Sequence, residues 1–158
     1  MTEDAKYRIR TMMPDDLTDI LQIALDCGLS HWSRKDYLDE AERSDSIMLC
    51  AECNDFEVAG FLVSRTVPSV NSDYRLDAEL YNIGVWPKLQ KSGCGTLLLE
   101  YFLGKCRTAA VENVWLDVRS SNDNAIAFYE RFGFRSFTLR KGFYGDPPED
   151  GIVMKLSL

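Results

Sequence analysis

Apolar and polar positions alternate with period two from Tyr7 to Met12, which predicts a first strand. Pro14-Asp15-Asp16 then opens a helix, since proline fits a first helical turn and acids suit the positive end of its dipole. Leu17, Ile20, Leu21, Ala24 and Leu25 supply its apolar face and Gly28 its end. Ser33 is a good N-cap for a second helix to about Arg43, with Tyr37, Leu38 and Ala41 turned inward. Ser46 to Cys53 and Val58 to Val67 read as strands of a hairpin across Asn54-Asp55, followed by a polar loop from Pro68 to Arg75. Leu76 to Val85 is the next strand and Gly95 to Arg107 the next helix. Asn113 to Arg119 carries Val114, Leu116 and Val118 on one face. Ser121 or Asn122 caps a short helix with Ala125, Phe128, Tyr129 and Phe132 at helical spacing, ended by Gly133. Phe134 to Arg140 and Ile152 to Leu158 read as final strands around a Gly/Pro loop, Gly142 to Gly151. With no repeat or linker, the order predicts a mixed α/β domain around one central sheet.

Composition narrows the classes. The chain has 158 residues, 46% of them hydrophobic and 27% charged, enough for one domain with a full core. No apolar run approaches the ~20 residues that span a membrane, and the polar start Met1-Thr2-Glu3-Asp4 is neither signal nor transit peptide, so a cytoplasmic location is expected. Five cysteines do not suggest a disulfide framework, and the lone Cys50-x-x-Cys53 pair reads as small residues on a strand. His31 is the only histidine, so multi-histidine metal sites are excluded and no metal is expected. The net charge of −7 argues against nucleic acid as a partner and suits a cationic substrate; solubility alone explains it equally well.

Chemistry concentrates between the strand ending Asn82-Ile83-Gly84-Val85-Trp86-Pro87 and the helix beginning near Thr96-Leu97-Leu98. The connection Gln90-Lys91-Ser92-Gly93-Cys94-Gly95 joins a strand to a helix N-terminus, where unpaired N–H groups and the helix dipole favour a phosphate. Neither G-x-G-x-x-G nor G-x-x-x-x-G-K-[ST] is present, so Gly93-x-Gly95 alone also fits a tight turn.

The wider pattern resembles the GNAT superfamily of N-acetyltransferases. Val85-Trp86-Pro87, Gln90, Gly93 and Gly95 resemble its acetyl-CoA signature; Asn122, Ala125, Phe128-Tyr129-Glu130 and Gly133-Phe134 resemble its N-x-x-A-x-x-[LF]-Y-x-x-x-G-F motif. Within the superfamily the chain looks like the bacterial ribosomal-protein-alanine N-acetyltransferase group. Asn82-Ile83-Gly84-Val85 is similar to its N-I-A-V, Leu116 to Asn122 to its L-E-V-R-x-S-N, and Phe143-Tyr144 with Glu149 to Met154 to its tail; His31-Trp32-Ser33 resembles its P-W-S. Three departures stand out: Lys91-Ser92 in place of Gly-Arg or Arg-Gln, Asp117 in place of glutamate, and Gly151 in place of a frequent alanine.

The resemblance implies a single acyl-CoA N-acyltransferase domain over 1–158, with a mostly antiparallel sheet of about seven strands and about four helices, as monomer or homodimer. It implies acetyl-CoA as co-substrate, with pantetheine amides along Ile83-Gly84-Val85, pyrophosphate at Gln90, Lys91, Ser92, Gly93, Cys94, Gly95 and Thr96, and further cofactor contacts at Asn122 and Ala125. Tyr129 becomes the general acid that protonates the thiolate; a core aromatic is its packing alternative. Glu79 and Asp117 are candidate bases, or else a solvated strand residue and a structural acceptor. Trp32 and Tyr144 are candidates for the acceptor pocket or plain packing aromatics. Asn122 also serves as an N-cap. Cys94 reads as a small filler, because direct attack by the amine needs no acyl-cysteine. The implied acceptor is a basic protein N-terminus; an α-amine, with pKa near ~7.7–8.0, is partly neutral at cell pH and needs only a modest base. A small-molecule amine is the alternative acceptor, and a non-catalytic acyl-CoA-binding domain the alternative class.

Overall fold

A computed structural model describes residues 6–29, 31–70 and 74–158. In chain order the elements are β1 (Arg8–Thr11), a 3-10 turn (Pro14–Asp16), α1 (Leu17–Asp26), α2 (Arg34–Ala41), β2 (Ser46–Cys53), β3 (Phe56–Pro68), β4 (Leu76–Val85), a 3-10 turn (Pro87–Leu89), α3 (Cys94–Thr108), β5 (Val111–Arg119), α4 (Asp123–Arg131), β6 (Arg135–Gly145) and β7 (Pro148–Ser157). The strands form one sheet in the order β1-β2-β3-β4-β5-β7-β6, with β4 and β5 parallel. Two compact units divide the chain: Met1–Arg65 with Asn82–Cys106, and Thr66–Tyr81 with Arg107–Leu158.

In the first unit, β1 pairs antiparallel with β2 and β2 with β3, setting Leu49 opposite Leu62 and Ala51 opposite Gly60. Leu17, Ile20 and Ile23 of α1, Tyr37 of α2, Phe61 and Leu62 of β3, and Leu98, Leu99 and Phe102 of α3 are its largest buried side chains. Cys50 and Cys53 lie on β2 as free thiols. Two expected helix faces are corrected. On α1, Ile23 is buried while Leu25 is 66% exposed, because the buried stripe runs through Leu17, Ile20, Ile23 and Ala24. On α2, Leu38 and Ala41 are exposed and Glu40 is buried beside Tyr37. The cause is Arg65 of β3, whose Nε donates to Glu40 Oε1 at 3.1 Å and whose Nη2 donates to Oε2, so an ion pair occupies the inward position. The Ser33 cap forms as expected: its Oγ accepts from Asp36 N at 3.2 Å while Asp36 Oδ2 accepts from Ser33 N at 2.7 Å.

In the second unit, β5 pairs with β7 through Leu116 opposite Met154 and Asp117 opposite Val153, and β7 pairs with β6. Val114, Leu116, Phe134 and Met154 are buried there. The expected loop from Gly142 to Gly151 is corrected as well. Both strands run into it, pairing Tyr144 with Glu149 and Gly145 with Pro148. A register shift between Arg140 and Tyr144 takes up the extra residues, and Gly142 N–H donates to Asp150 Oδ1 at 2.8 Å. Pro148 opens β7, where a missing N–H is tolerated.

One charge cluster ties β1, the first 3-10 turn and β2 together. Arg10 donates to Asp16 Oδ2 from Nη1 at 2.7 Å and to Oδ1 from Nη2 at 2.8 Å, and from Nε to Glu52 Oε2 at 2.6 Å. Asp16 is buried and also accepts from Met13 N–H at 2.7 Å. Burial pushes the Asp16 carboxyl up, but the Arg10 and Met13 hydrogen bonds outweigh it and hold the group below its ordinary value. A depressed carboxylate stabilises the fold above its unfolded pKa of about 3.9, and that contribution is lost as pH falls through the lower folded value. Asp16→Asn is expected to cost about 1–3 kcal/mol at neutral pH and to flatten the acid limb of stability. Urea unfolding from pH 2 to 7 checks both.

Candidate active-site residues

The segment from β4 into α3 is fixed at several points within the first unit. β4 is in register with β5 as far as Leu80, and Ile83, Gly84 and Val85 lie beyond that last pair. Trp86 N–H donates to Ala59 O at 3.1 Å and Trp86 Nε1 to Val58 O at 2.8 Å. The Val85 carbonyl accepts from Gln90 Nε2 at 3.3 Å and Cys27 Sγ at 3.2 Å, so Gln90 turns back onto the strand. Ser92 Oγ donates to Leu89 O and lies 2.6 Å from Tyr7 Oη.

Two residues of this connection have left-handed backbone, Lys91 at φ 60 and Gly93 at φ 92. The first suits few side chains; the second is favourable only for glycine. No atom lies within 4 Å of where a Gly93 Cβ would stand. Leu97 N–H makes a helical bond to Gly93 O at 3.0 Å, so Cys94, Gly95 and Thr96 form the first turn of α3, where N–H groups have no intrahelical partner. Unpartnered N–H groups at a helix start suit an anion. Lys91 is exposed; Cys94 is buried, and burial pushes its thiol up to about 12.

The candidate acid–base groups lie in the second unit. Tyr129 of α4 is 8% exposed, its ring centroid 5.4 Å from that of Phe128 and 5.6 Å from that of Phe134. Burial, with Tyr144 adding, raises its phenol above the ordinary value. Asp117 of β5 is partly exposed, with Oδ1 3.4 Å from Arg140 Nε. Burial raises its carboxyl, Arg140 opposes the rise and Glu79 adds to it. Glu79 of β4 accepts from Tyr81 Oη at 2.8 Å. Asn122 caps α4, its Oδ1 accepting from Ala125 N at 3.2 Å. Tyr144 sits near the end of β6, half-buried, with the Arg119 guanidinium 4.3 Å from its ring centroid. Trp32, in the first unit, is 5.2 Å from Tyr37 ring to ring, and His31 is exposed. Among the described residues no cluster of His, Cys, Asp and Glu is arranged to hold a metal, and no helix is long and apolar enough to cross a membrane.

Sequence reading missed four contributors. Cys27 and Tyr7 buttress the β4–α3 connection from distant parts of the chain, and no local signal marks them. The Asn82 side-chain nitrogen, Nδ2, next to Ile83, is buried without a hydrogen-bond partner among the described residues. Gly60 did carry a signal, an isolated glycine inside a strand pattern, which marks close backbone approach. A Cβ there would stand 2.8 Å from Gly84 O, 3.0 Å from Val85 Cγ2 and 3.1 Å from Cys94 Sγ.

The acetyltransferase (GNAT) family pattern matches residues 17–134. A ribosomal protein bS18-alanine N-acetyltransferase of Salmonella typhimurium is 33% identical over 153 residues, covering 95% of this chain and 97% of that protein. The crystal structure of the ribosomal-protein-S18-alanine N-acetyltransferase from Escherichia coli matches with a TM-score of 0.81 at 30% identity, over 96% of this chain and 93% of that one. Arabidopsis thaliana NAA60, solved with acetyl-CoA, shares the fold with a TM-score of 0.84 at 19% identity, over 96% of this chain and 98% of that one.

The close approach at Gly60 gives a direct test of what seats the connection. Gly60→Ala is expected to destabilise the chain by about 1–3 kcal/mol, since the contacts are backbone and packed core with little room to give. Gly104→Ala, which has open space at its Cβ and lies on α3, serves as the control. Thermal and urea unfolding that leave Gly60→Ala as stable as the control would remove the constraint.

Proposed function

The chain belongs to the acetyltransferase (GNAT) family and is an N-acetyltransferase, and from that premise we propose that it moves the acetyl group of acetyl-CoA onto the N-terminal α-amine of a protein, acting as one domain over 1–158. The similarity to the bS18-alanine N-acetyltransferase of Salmonella typhimurium over nearly the whole of both chains carries the choice of acceptor.

The residues suit acetyl-CoA. Lys91 and Gly93 turn the backbone so that the first N–H groups of α3 and the Lys91 ammonium meet an anion, and the open space at Gly93 leaves a pyrophosphate room. Ile83, Gly84 and Val85 offer main-chain groups to the pantetheine amides; the Val85 carbonyl already accepts two bonds, so N–H donors contribute most at that residue. Asn122 and Ala125 open α4 on the same cofactor's behalf.

Acetyl-CoA supplies an activated thioester carbonyl. The neutral amine nitrogen forms the new C–N bond, the C–S bond breaks, the amine loses a proton and the sulfur gains one. Asp117, its carboxyl raised by burial, takes the amine proton through water and is a better base for that rise. Glu79, held by Tyr81, assists by ordering that water. Tyr129 donates its phenolic proton to sulfur; burial keeps it protonated across the working pH range. Tyr144 bounds the acceptor. The negative net charge attracts a basic peptide at low salt.

The function is tested by competing a basic peptide with a free N-terminal alanine against the same peptide with a blocked terminus and free lysines, with thiol release as the readout. Acetylation of the free α-amine only is expected. Equal rates on the blocked peptide refute the N-terminal acceptor, and activity on a polyamine with neither peptide modified moves the assignment to small amines.

The general acid is tested separately. Tyr129→Phe is expected to lower kcat by ~10²-fold while leaving acetyl-CoA affinity and folding intact. Turnover within twofold of the parent, in a variant with normal circular dichroism, returns Tyr129 to a packing role.

A further inference from the structure

At the end of β5, one guanidinium gathers the whole tip of the β6–β7 hairpin. Arg119 donates from Nη1 to Pro147 O at 3.0 Å and to Glu149 Oε2 at 3.3 Å, and from Nη2 to Asp146 O at 3.1 Å. Its guanidinium carbon stands 4.3 Å from the centroid of the Tyr144 ring. Glu149 continues the network in the other direction: its Oε1 accepts from Ser121 N–H at 2.7 Å and from Ser120 Oγ at 3.4 Å. Ser120 N–H donates to Asp150 O at 3.0 Å. The network therefore joins the hairpin tip to the two residues before Asn122, the cap of the helix that carries Tyr129.

The Tyr144 ring is confined on a second side. Gly151 pairs with Arg119 across β5 and β7. A Cβ at Gly151 would lie 3.3 Å from Tyr144 Cε2 and 3.1 Å from Phe143 Cδ1. The ring thus packs between a flat cation and bare backbone. Tyr144 also adjoins the candidate acid–base groups: the Asp117 charge helps raise its phenol, and Tyr144 acts in turn on that of Tyr129. Hairpin pairing from Arg135 to Gly145 already closes the strand turn, so the Arg119 contacts add fixation of the tip and the ring rather than the turn itself.

We propose that Arg119, backed by Glu149, is a positioning residue that holds the Tyr144 ring as a fixed wall of the acceptor site, and so sets acceptor affinity while leaving the transfer step alone. The inference rests on the assignment of Tyr144 to the acceptor site. Arginine is required because its planar fork reaches two carbonyls and a carboxylate while stacking on the ring; an ammonium makes a single centred contact.

The test uses the full chain, acetyl-CoA and whichever primary amine the parent acetylates best, peptide or polyamine, so that a wrong acceptor class does not disturb it. Arg119→Ala is expected to raise the acceptor KM about tenfold or more, with kcat and the acetyl-CoA KM within about twofold. Arg119→Lys recovers only part of the loss. The double variant Arg119→Ala/Tyr144→Ala is expected to be no worse than Tyr144→Ala alone, because both act through one ring. Multiplicative effects in the double variant overturn the proposal, as does a parallel fall in kcat and acetyl-CoA affinity. An unchanged acceptor KM in Tyr144→Ala removes Tyr144 from the acceptor site and the proposal with it. Should Arg119→Ala fail to fold, Arg119→Lys and Glu149→Gln, each crossed with Tyr144→Ala, read the same coupling.

Discussion

The absence of a side chain at Gly60 is the constraint on which the first unit is assembled. It lets the Gly84 carbonyl, the Val85 side chain and the Cys94 sulfur close onto β3 together, at distances a Cβ would forbid. The Trp86 main chain and indole then bond to the neighbouring residues Ala59 and Val58, so the chain leaves β4 in one direction only. A connection that starts at Trp86 and must return to the sheet at Cys94 has little freedom. Part of its closure is met by left-handed backbone at Lys91 and Gly93. A left-handed non-glycine residue costs roughly 1–2 kcal/mol, and here anchors from Tyr7, Cys27 and Ser92 hold the connection in place. Cys94 follows the same logic. It is small enough to fit against Gly60, and burial raises its thiol far from a reactive thiolate, consistent with direct transfer to the amine.

In the second unit one physical cause, removal from water, acts on two groups for which opposite duties are proposed. For Asp117 it destabilises the carboxylate and makes it a stronger proton acceptor, while Arg140 at 3.4 Å limits the rise. For Tyr129 it destabilises the phenolate, so the hydroxyl stays a proton donor. Burial moves each group in the direction that its proposed role needs. The departure from glutamate to aspartate at position 117 fits a water-bridged proton path, since the shorter side chain retracts the carboxylate toward β5.

Much of this was legible in the sequence because the responsible interactions are local. The apolar runs located β2 and β4 to the residue, and the Ser33 and Asn122 caps are contacts across three residues. Legibility failed where a distant partner decides. Glu40 turns inward because Arg65 is there to meet it, which no count of apolar positions on α2 reveals. The Gly142–Gly151 segment looks like a loop by composition, yet pairing with a partner strand across a bulge extends β6 and β7 through it. Cys27 and Tyr7 reach the β4–α3 connection only in three dimensions. The glycines divide the same way: Gly93 was readable from its turn context, whereas the strand pattern around Gly60 signals a close approach without saying that Gly84, Val85 and Cys94 make it.

The acid–base equipment also bears on which amines such a site can serve. The proposed base, Asp117, is a carboxylate. A carboxylate base acts most readily on the fraction of an alkyl amine that is already neutral. That fraction is set by the amine. An α-amine near ~7.7–8.0 is neutral to a useful extent at cell pH, whereas a lysine near ~10.4 needs about 2.5 further units, or roughly 3.5 kcal/mol. Binding contacts must make up that difference if lysine is to compete. With Asp117 as the proposed base, the chemistry therefore favours an N-terminal amine over a side-chain amine.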